Sequence, residues 1–445
     1  MSTFFHAQWA WRGGEDVVPD VRFAVRAGII EDVVERVAAQ PGDERIAGVV
    51  MPGLVNAHSH AFHRALRGRT HAGTGDFWTW REQMYQIAGR LNPDSYRELA
   101  TCTFAEMALA GITGVGEFHY VHHPVAGGRY VDPNEMGRSI VDAGAISGVR
   151  VALLDVAYLH ASLASTGPLP EQHRFSDGNI EAWLERVEVL GTGGDGWTVG
   201  LAPHSVRAVH PSELAAVARH RNDRVVHMHV SEQPAENAAC EVATGQTPTG
   251  AIAGSGLLGR HFTAVHATHV TAPDIALLGA GGVCMCPTTE RDLADGVGPA
   301  RDLVAAGAML SLGSDSHATI DLFEEARAVE HDERLVTGRR GMHRPAELLA
   351  AATRGGAVSL GWDVTERPGI HHGIAADFIA VSLDGVRMAG FDPHHGAAFL
   401  VHAATAGDVR DTWRGGRAIV RDGRHVSIPD VAARLDAAIR VVSTL

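Results

Sequence analysis

The sequence predicts an α/β protein: a closed (β/α)8 TIM-like barrel with a small β-sandwich domain built from both termini. Three observations predict it. Strand-like and helix-like segments alternate from about residue 52 to 360, the pattern of a parallel sheet covered by helices. Eight strand candidates fall in that stretch, a number that favours closure over an open sheet. Short β pieces occupy both ends, and 445 residues exceed the roughly 250–300 that one core fills, so a second, smaller domain is expected.

In order, the N-terminal β pieces are Phe4–Trp11, Val21–Val25 and, after a glycine turn, Ile29–Val37, followed by the apolar run Gly48–Met51. The barrel candidates are Leu54–His60, Gly114–Tyr120, Val149–Leu159, Trp197–His204, Arg224–Ser231, Phe262–His269, Gly282–Pro287 and Ala308–Asp315. Most end in His, Asp or Tyr, and the C-terminal edge of a barrel is where active sites are built. The β texture returns in Asp377–Ser382, Ala398–His402 and Arg410–Arg424, whose turns fall at Gly415–Gly416 and Asp422–Gly423. Pro429–Leu445 reads as a terminal helix with its proline in the first turn. The expected division is 1–51 with 361–425 for the β domain, 52–360 for the barrel and 426–445 for the helix.

Composition narrows the chemistry. All 38 cationic side chains are arginine, which excludes Schiff-base, pyridoxal-phosphate and phosphate-loop lysines, and the carboxylated lysine that bridges two metals in some hydrolytic barrels. A net charge of −14 argues against nucleic acid or an anionic membrane as partner, and a small anionic substrate would need local arginines. No apolar run approaches the ~18 residues of a membrane span, and Met1–Ala10 lacks the basic start and apolar core of a signal peptide. Cys102, Cys240, Cys284 and Cys286 are too few and scattered for a disulfide scaffold, so the expected location is the cytoplasm. Cys284 and Cys286, in an apolar run, read as buried strand residues.

Residues two apart on a strand point the same way, so His58 and His60 are able to grip one metal ion. His229 ends the fifth strand as a third ligand candidate, with Glu232 just beyond as a proton shuttle and His227 as a packing residue. His266 and His269 end the sixth strand. Asp315 ends the eighth, typed as an oxygen ligand that also orients or deprotonates a bound water. Three nitrogens, one carboxylate and no possible lysine bridge describe a site for one divalent metal.

The HxH after Met51-Pro52-Gly53, the later His, His and Asp in this order, and the terminal β pieces resemble the amidohydrolase superfamily. Phe77-Trp78-Thr79-Trp80-Arg81-Glu82, Glu117 to His123, His204 to Val209 and Gly313 to His317 resemble, within it, the branch that hydrolyses linear amidines. The resemblance implies zinc held by His58, His60, His229 and Asp315, water activation and oxyanion stabilisation assisted by His266, and proton transfer by Glu232. It implies substrate contacts from Arg81, Tyr120, His204 and Arg207, with His63 where a glutamine is usual. The implied reaction turns N-formimidoyl-L-glutamate into N-formyl-L-glutamate and ammonia in histidine degradation, in a homodimer. Arginine forks at 81 and 207 suit that substrate's two carboxylates. Trp78 and Trp80 read as lid packing, His122 and His123 as loop residues, and Glu117 and His317 as partners that orient ligands. Pro287–Arg291 reads either as hydroxyl contacts to substrate or as a capped loop. The alternatives are a mononuclear deaminase of a purine, pyrimidine or triazine ring amine, and a barrel that has lost catalysis and serves as a scaffold.

Overall fold

The computed structural model describes residues 2–71, 77–362 and 367–443. The side chains of Phe77 and Trp78, the latter expected in the lid, lie outside the described residues.

The chain opens with β1 (Thr3–Trp11), β2 (Val17–Arg26), β3 (Ile29–Val34) and β4 (Glu44–Pro52). It then enters eight parallel barrel strands: β5 (Leu54–Ser59), β6 (Ile112–His119), β7 (Arg150–Ala157), β9 (Trp197–Pro203), β10 (Val226–Val230), β11 (Phe262–His266), β12 (Gly282–Met285) and β13 (Met309–Leu312). The two-residue β8 (Gly193–Gly194) only flanks β9. Finally β14 (Phe378–Val381), β15 (Val409–Arg414), β16 (Arg417–Arg421) and β17 (Arg424–His425) return to the first sheet. That sheet is continuous and mixed, in the order β17-β16-β15-β14-β4-β1-β2-β3, with β1 and β4 parallel. Phe5, Phe23, Phe378 and Trp413 pack together as its own core.

The barrel strands read β13-β12-β11-β10-β9-β7-β6-β5, and the seam between the last and first is closed by the segment after β13. Asp315 N–H donates to His58 O at 3.0 Å, and His60 N–H donates to Asp315 O at 3.1 Å. Asn56 adds a pair of bonds, its Nδ2 to Ser314 Oγ at 2.7 Å and its Oδ1 from Ser314 N–H at 2.9 Å. Gly313 allows this approach: a Cβ there would lie 2.8 Å from His58 O and 3.0 Å from Cys286 Sγ. The ligand candidates of the first and eighth strands therefore also close the barrel.

All eight barrel strands stop one to three residues before the end of the corresponding run. The backbone explains several of these stops. Ser231, His266, Ala267 and Asp315 have positive φ (52°, 68°, 51° and 41°), a left-handed conformation that leaves the ladder and costs side-chain-bearing residues energy. Two expectations change. Ala398–His402 belongs to a helix, Gly396–His402, with Gly396, Ala397, Leu400 and Val401 buried at helical spacing; a short apolar run does not by itself distinguish strand from helix. The terminal helix is Val431–Val442 with Asp430 as its cap, so Pro429 precedes the first turn.

Candidate active site

Four buried side chains from three strand ends converge at the C-terminal edge: His58, His60, His229 and Asp315, with ligand atoms all within 4.8 Å of one another. His60 Nε2 lies 3.2 Å and His58 Nε2 3.4 Å from Asp315 Oδ1, and His58 Nε2 lies 3.1 Å from His229 Nε2. The other ring nitrogens decide what these contacts mean. His60 Nδ1 faces Phe118 O and His229 Nδ1 faces His204 O, each at 3.0 Å. A carbonyl only accepts, so both Nδ1 atoms carry a proton, which leaves Nε2 as a bare lone pair in a neutral imidazole. The His60 lone pair faces the Asp315 carboxylate with no proton between them, an arrangement that repels, and a cation there removes the repulsion. The donor set of three imidazoles and one carboxylate therefore fits a divalent metal. Burial also holds His58 down to about 3, in the neutral form that ligates.

Ser59, between the two histidines, donates to Glu117 Oε2 at 2.6 Å and meets His317 Nε2 at 3.2 Å, while Ala61 N–H donates to Glu117 Oε1 at 2.6 Å. These bonds anchor the strand end that carries His58 and His60. Burial pushes the Glu117 carboxyl up to about 8.

His266 stands beside this cluster. Its Nε2 lies 3.8 Å from both Glu232 Oε1 and Asp315 Oδ2, and its Nδ1 meets Glu290 Oε1 at 3.2 Å. Burial disfavours its charge, yet the three carboxylates around it more than reverse that and raise it well above the usual histidine range. Glu232 is raised, chiefly by burial.

The remaining predicted residues line one cavity with this centre: His63, Arg81, Tyr120, His204 and Arg207 beside His60, His229, Glu232 and Asp315. Arg81 and Trp80 reach it from α1 (Phe77–Ala88), which lies over the strand ends, and Trp80 packs edge-on against His63 at 5.0 Å. His63 Nε2 meets the Tyr120 hydroxyl at 2.7 Å. Two guanidiniums and an imidazole-carboxylate cluster therefore share one space, which suits an anionic substrate.

Other expected residues are accounted for elsewhere. His122 meets Val156 O at 2.8 Å and His123 pairs with Asp177 at 3.1 Å, both buried away from the cavity. His227 meets Ser359 O at 2.8 Å, and His269 meets Asp295 O at 2.8 Å. The Pro287–Arg291 segment is not a loop but lies in a short helix, Pro287–Asp292, in which Thr288 donates to Glu325 and Thr289 meets Ser316, so its hydroxyls face inward. Glu290 was not singled out from the sequence as a functional residue. It orients His266 and accepts the Cys286 N–H at 2.9 Å. Gln172, Tyr85 and Tyr158, which bond to one another and to the two arginines, were also missed; nothing in their local sequence marks them.

Residues 49–419 match the model of the amidohydrolase family. The chain is 36% identical over 428 residues to a formimidoylglutamate deiminase of Pseudomonas aeruginosa, covering 91% of this chain and 92% of the relative. It is 31% identical to an 8-oxoguanine deaminase of the same organism, covering 89% and 88%. Among solved structures, an amidohydrolase from Brucella melitensis superposes with a TM-score of 0.87 at 30% identity, over 99% of each chain. A zinc-bound adenosine deaminase from Xanthomonas campestris superposes at 0.82 with 24% identity, over 99% and 97%, a likeness of fold.

Proposed function

This chain belongs to the amidohydrolase family and is a hydrolase of C–N bonds, and we propose that it converts N-formimidoyl-L-glutamate and water into N-formyl-L-glutamate and ammonia, in histidine degradation. One observation carries the reading: a set of convergent imidazole and carboxylate lone pairs shares a cavity with two arginines. A zinc ion held by His58, His60, His229 and Asp315 would supply Lewis acidity, lowering the pKa of a bound water from 15.7 towards about 7.

The side chains divide the remaining work. Asp315 Oδ2, on the His266 side, accepts the proton of the attacking water. His266, held charged by its carboxylates, donates a hydrogen bond to the tetrahedral centre as negative charge develops there. Glu232 carries a proton to the departing nitrogen, so that ammonia leaves and the carbon becomes a formyl group. Arg81 and Arg207 hold the two carboxylates, while Tyr120, His204 and His63 line the chain between them. Four buried free thiols suit the reducing cytoplasm, the location we assign. A homodimer belongs to this reading too, and light scattering measures it directly.

The test is ammonia release by zinc-loaded protein from N-formimidoyl-L-glutamate, set against a panel of ring amines. No release from the former with turnover of the latter would sink the proposal. Asp315→Asn should lower kcat by about 10²–10⁴-fold with an unchanged circular dichroism spectrum, and near-wild-type turnover would remove Asp315 from the mechanism. Arg207→Met should raise KM for the di-acid by about 30-fold or more, since a charge-assisted pair is lost. An unchanged KM would favour a ring-amine substrate.

A further inference from the structure

The two arginines are joined through a buried amide. Arg207 Nη1 donates to the Tyr158 hydroxyl at 2.8 Å, and Arg81 Nε donates to the Tyr85 hydroxyl. Both phenols accept from the same group: Gln172 Nε2 lies 2.7 Å from Tyr85 Oη and 3.0 Å from Tyr158 Oη. The other end of Gln172 settles which way the amide points. Its Oε1 faces the Leu169 N–H at 2.9 Å, and a backbone N–H only donates. Gln172 is fully buried, so both its N–H groups need acceptors, and the two phenol oxygens are those acceptors.

A proton count follows. A phenol offers two lone pairs and one hydrogen. The Tyr158 oxygen is occupied by Gln172 and Arg207 and the Tyr85 oxygen by Gln172 and Arg81, so neither phenol has a lone pair left for the other's hydrogen. What Tyr158 has left is its hydrogen, for which no acceptor is bonded among the described residues. Tyr158 is buried and lines the same cavity as Arg81, Arg207 and Asp315. An acceptor that satisfies this O–H and also suits the neighbouring guanidinium is a carboxylate.

We propose that Tyr158 binds substrate, donating its hydroxyl hydrogen to the carboxylate that Arg207 holds, and that Gln172 is the positioning residue that keeps this hydrogen turned into the cavity. The electrostatics agree. Burial pushes the Tyr158 phenol up, but Arg207, Arg81 and the bonds it accepts more than offset this and leave it below the usual tyrosine value. Tyr85, by contrast, is pushed up to about 12, chiefly by burial. Tyr158 is therefore the more acidic of the two phenols and the stronger donor. Gln172 sits on the turn Pro170–Phe175, Tyr85 on α1 and Tyr158 just past β7, so one amide aligns three elements around one carboxylate.

This inference rests on the proposed di-acid substrate, and its test separates the two. In zinc-loaded Tyr158→Phe, KM for N-formimidoyl-L-glutamate should rise about tenfold, the worth of a hydrogen bond to a charged group, with kcat within about twofold. Gln172→Met should shift KM in the same direction, with kcat and zinc content kept. Two truncated substrates, N-formimidoyl-4-aminobutyrate and N-formimidoyl-L-2-aminobutyrate, each lack one carboxylate. The Tyr158→Phe penalty should vanish for one of them, which a general loss of structure would not produce. Calorimetric titration with glutarate, a five-carbon di-acid with no amidine, reads the clamp without turnover, and Tyr158→Phe should bind it about tenfold more weakly. If wild type binds glutarate in this way yet does not hydrolyse N-formimidoyl-L-glutamate, the proposed activity fails while the carboxylate site stands. No glutarate binding by wild type, unchanged binding in Tyr158→Phe, or an equal penalty on all three substrates would overturn the site. Wild-type KM and glutarate affinity in Gln172→Met would overturn the positioning role.

Discussion

Arginine and tyrosine share the work at the mouth of this cavity because the chain contains no lysine. A guanidinium stays charged when buried and presents a planar fork, so a network of phenols and one amide is enough to aim it. The carboxylates behind the site behave in the opposite way, since burial works against their charge. Asp295 accepts from Gln233 and is buried, and burial together with the nearby Glu232 pushes it up from 3.8 to about 9. The folded state thus keeps a proton that the unfolded chain releases above about pH 4, and this group's contribution makes stability fall as pH rises from about 4 to about 9. Asp295→Asn, which imitates the protonated acid, should match wild type in Tm near pH 4 and exceed it by about 2 °C or more at pH 8. A difference that stays constant with pH would show that Asp295 is not held protonated. The ligand candidates were legible at this scale because HxH and a strand-ending Asp or His are local patterns. Glu290 and Gln172 were not, because their functional contacts are to His266, Tyr85 and Tyr158, and only folding creates them.

Among the elements, the turn Pro170–Phe175 governs how α1 meets the barrel. Besides Gln172 it carries Arg174, buried, which donates to three carbonyls: Ala88 at the end of α1, Leu91 beyond it at 3.0 Å, and His123 at 3.2 Å. The backbone answers in kind, since the N–H groups of His122 and His123 donate to Arg174 O at 3.0 and 2.9 Å. Arg174→Leu leaves these carbonyls without their donor and should cost about 2–4 kcal/mol in urea denaturation. Because α1 carries Arg81 and Tyr85, KM should rise more than kcat falls, and limited proteolysis should cut within 77–91 faster than in wild type. Unchanged proteolysis and KM would mean that α1 is held by its packing alone. Strand identities could be read from the sequence, since apolar runs ending in polar residues do become barrel strands. Strand ends could not, because the left-handed turns at Ser231, His266 and Asp315 are imposed by what the following side chains must reach. The apolar run at Ala398–His402 became a helix because its buried face forms only against the neighbouring helices Leu322–Thr337 and Pro345–Ala350.

In the whole molecule, the candidate metal centre and the closure of the barrel are one feature. His58 stands on β5 with His60 just past it, His229 on β10 and Asp315 past β13, so a cation among them cross-links the first, fifth and eighth strands across the seam. Chelation should therefore lower Tm by roughly 5 °C or more as well as abolish turnover, and about one equivalent of zinc per chain should restore both. Loss of activity without loss of Tm would separate the metal from the seam. The sequence by itself determined the parallel barrel, the terminal strands that join in a second sheet, and a donor set suited to one metal ion. It did so because strand periodicity, strand-end chemistry and the absence of lysine are properties of short segments and of composition. The tertiary structure alone decided which polar groups face one another: Asp315 bonded back to His58, Glu290 behind His266, and Gln172 between two phenols that each hold an arginine. Such pairings join residues far apart in the chain, and their energy comes from excluding water around fixed donors and acceptors, which exist only once the strands and turns have packed.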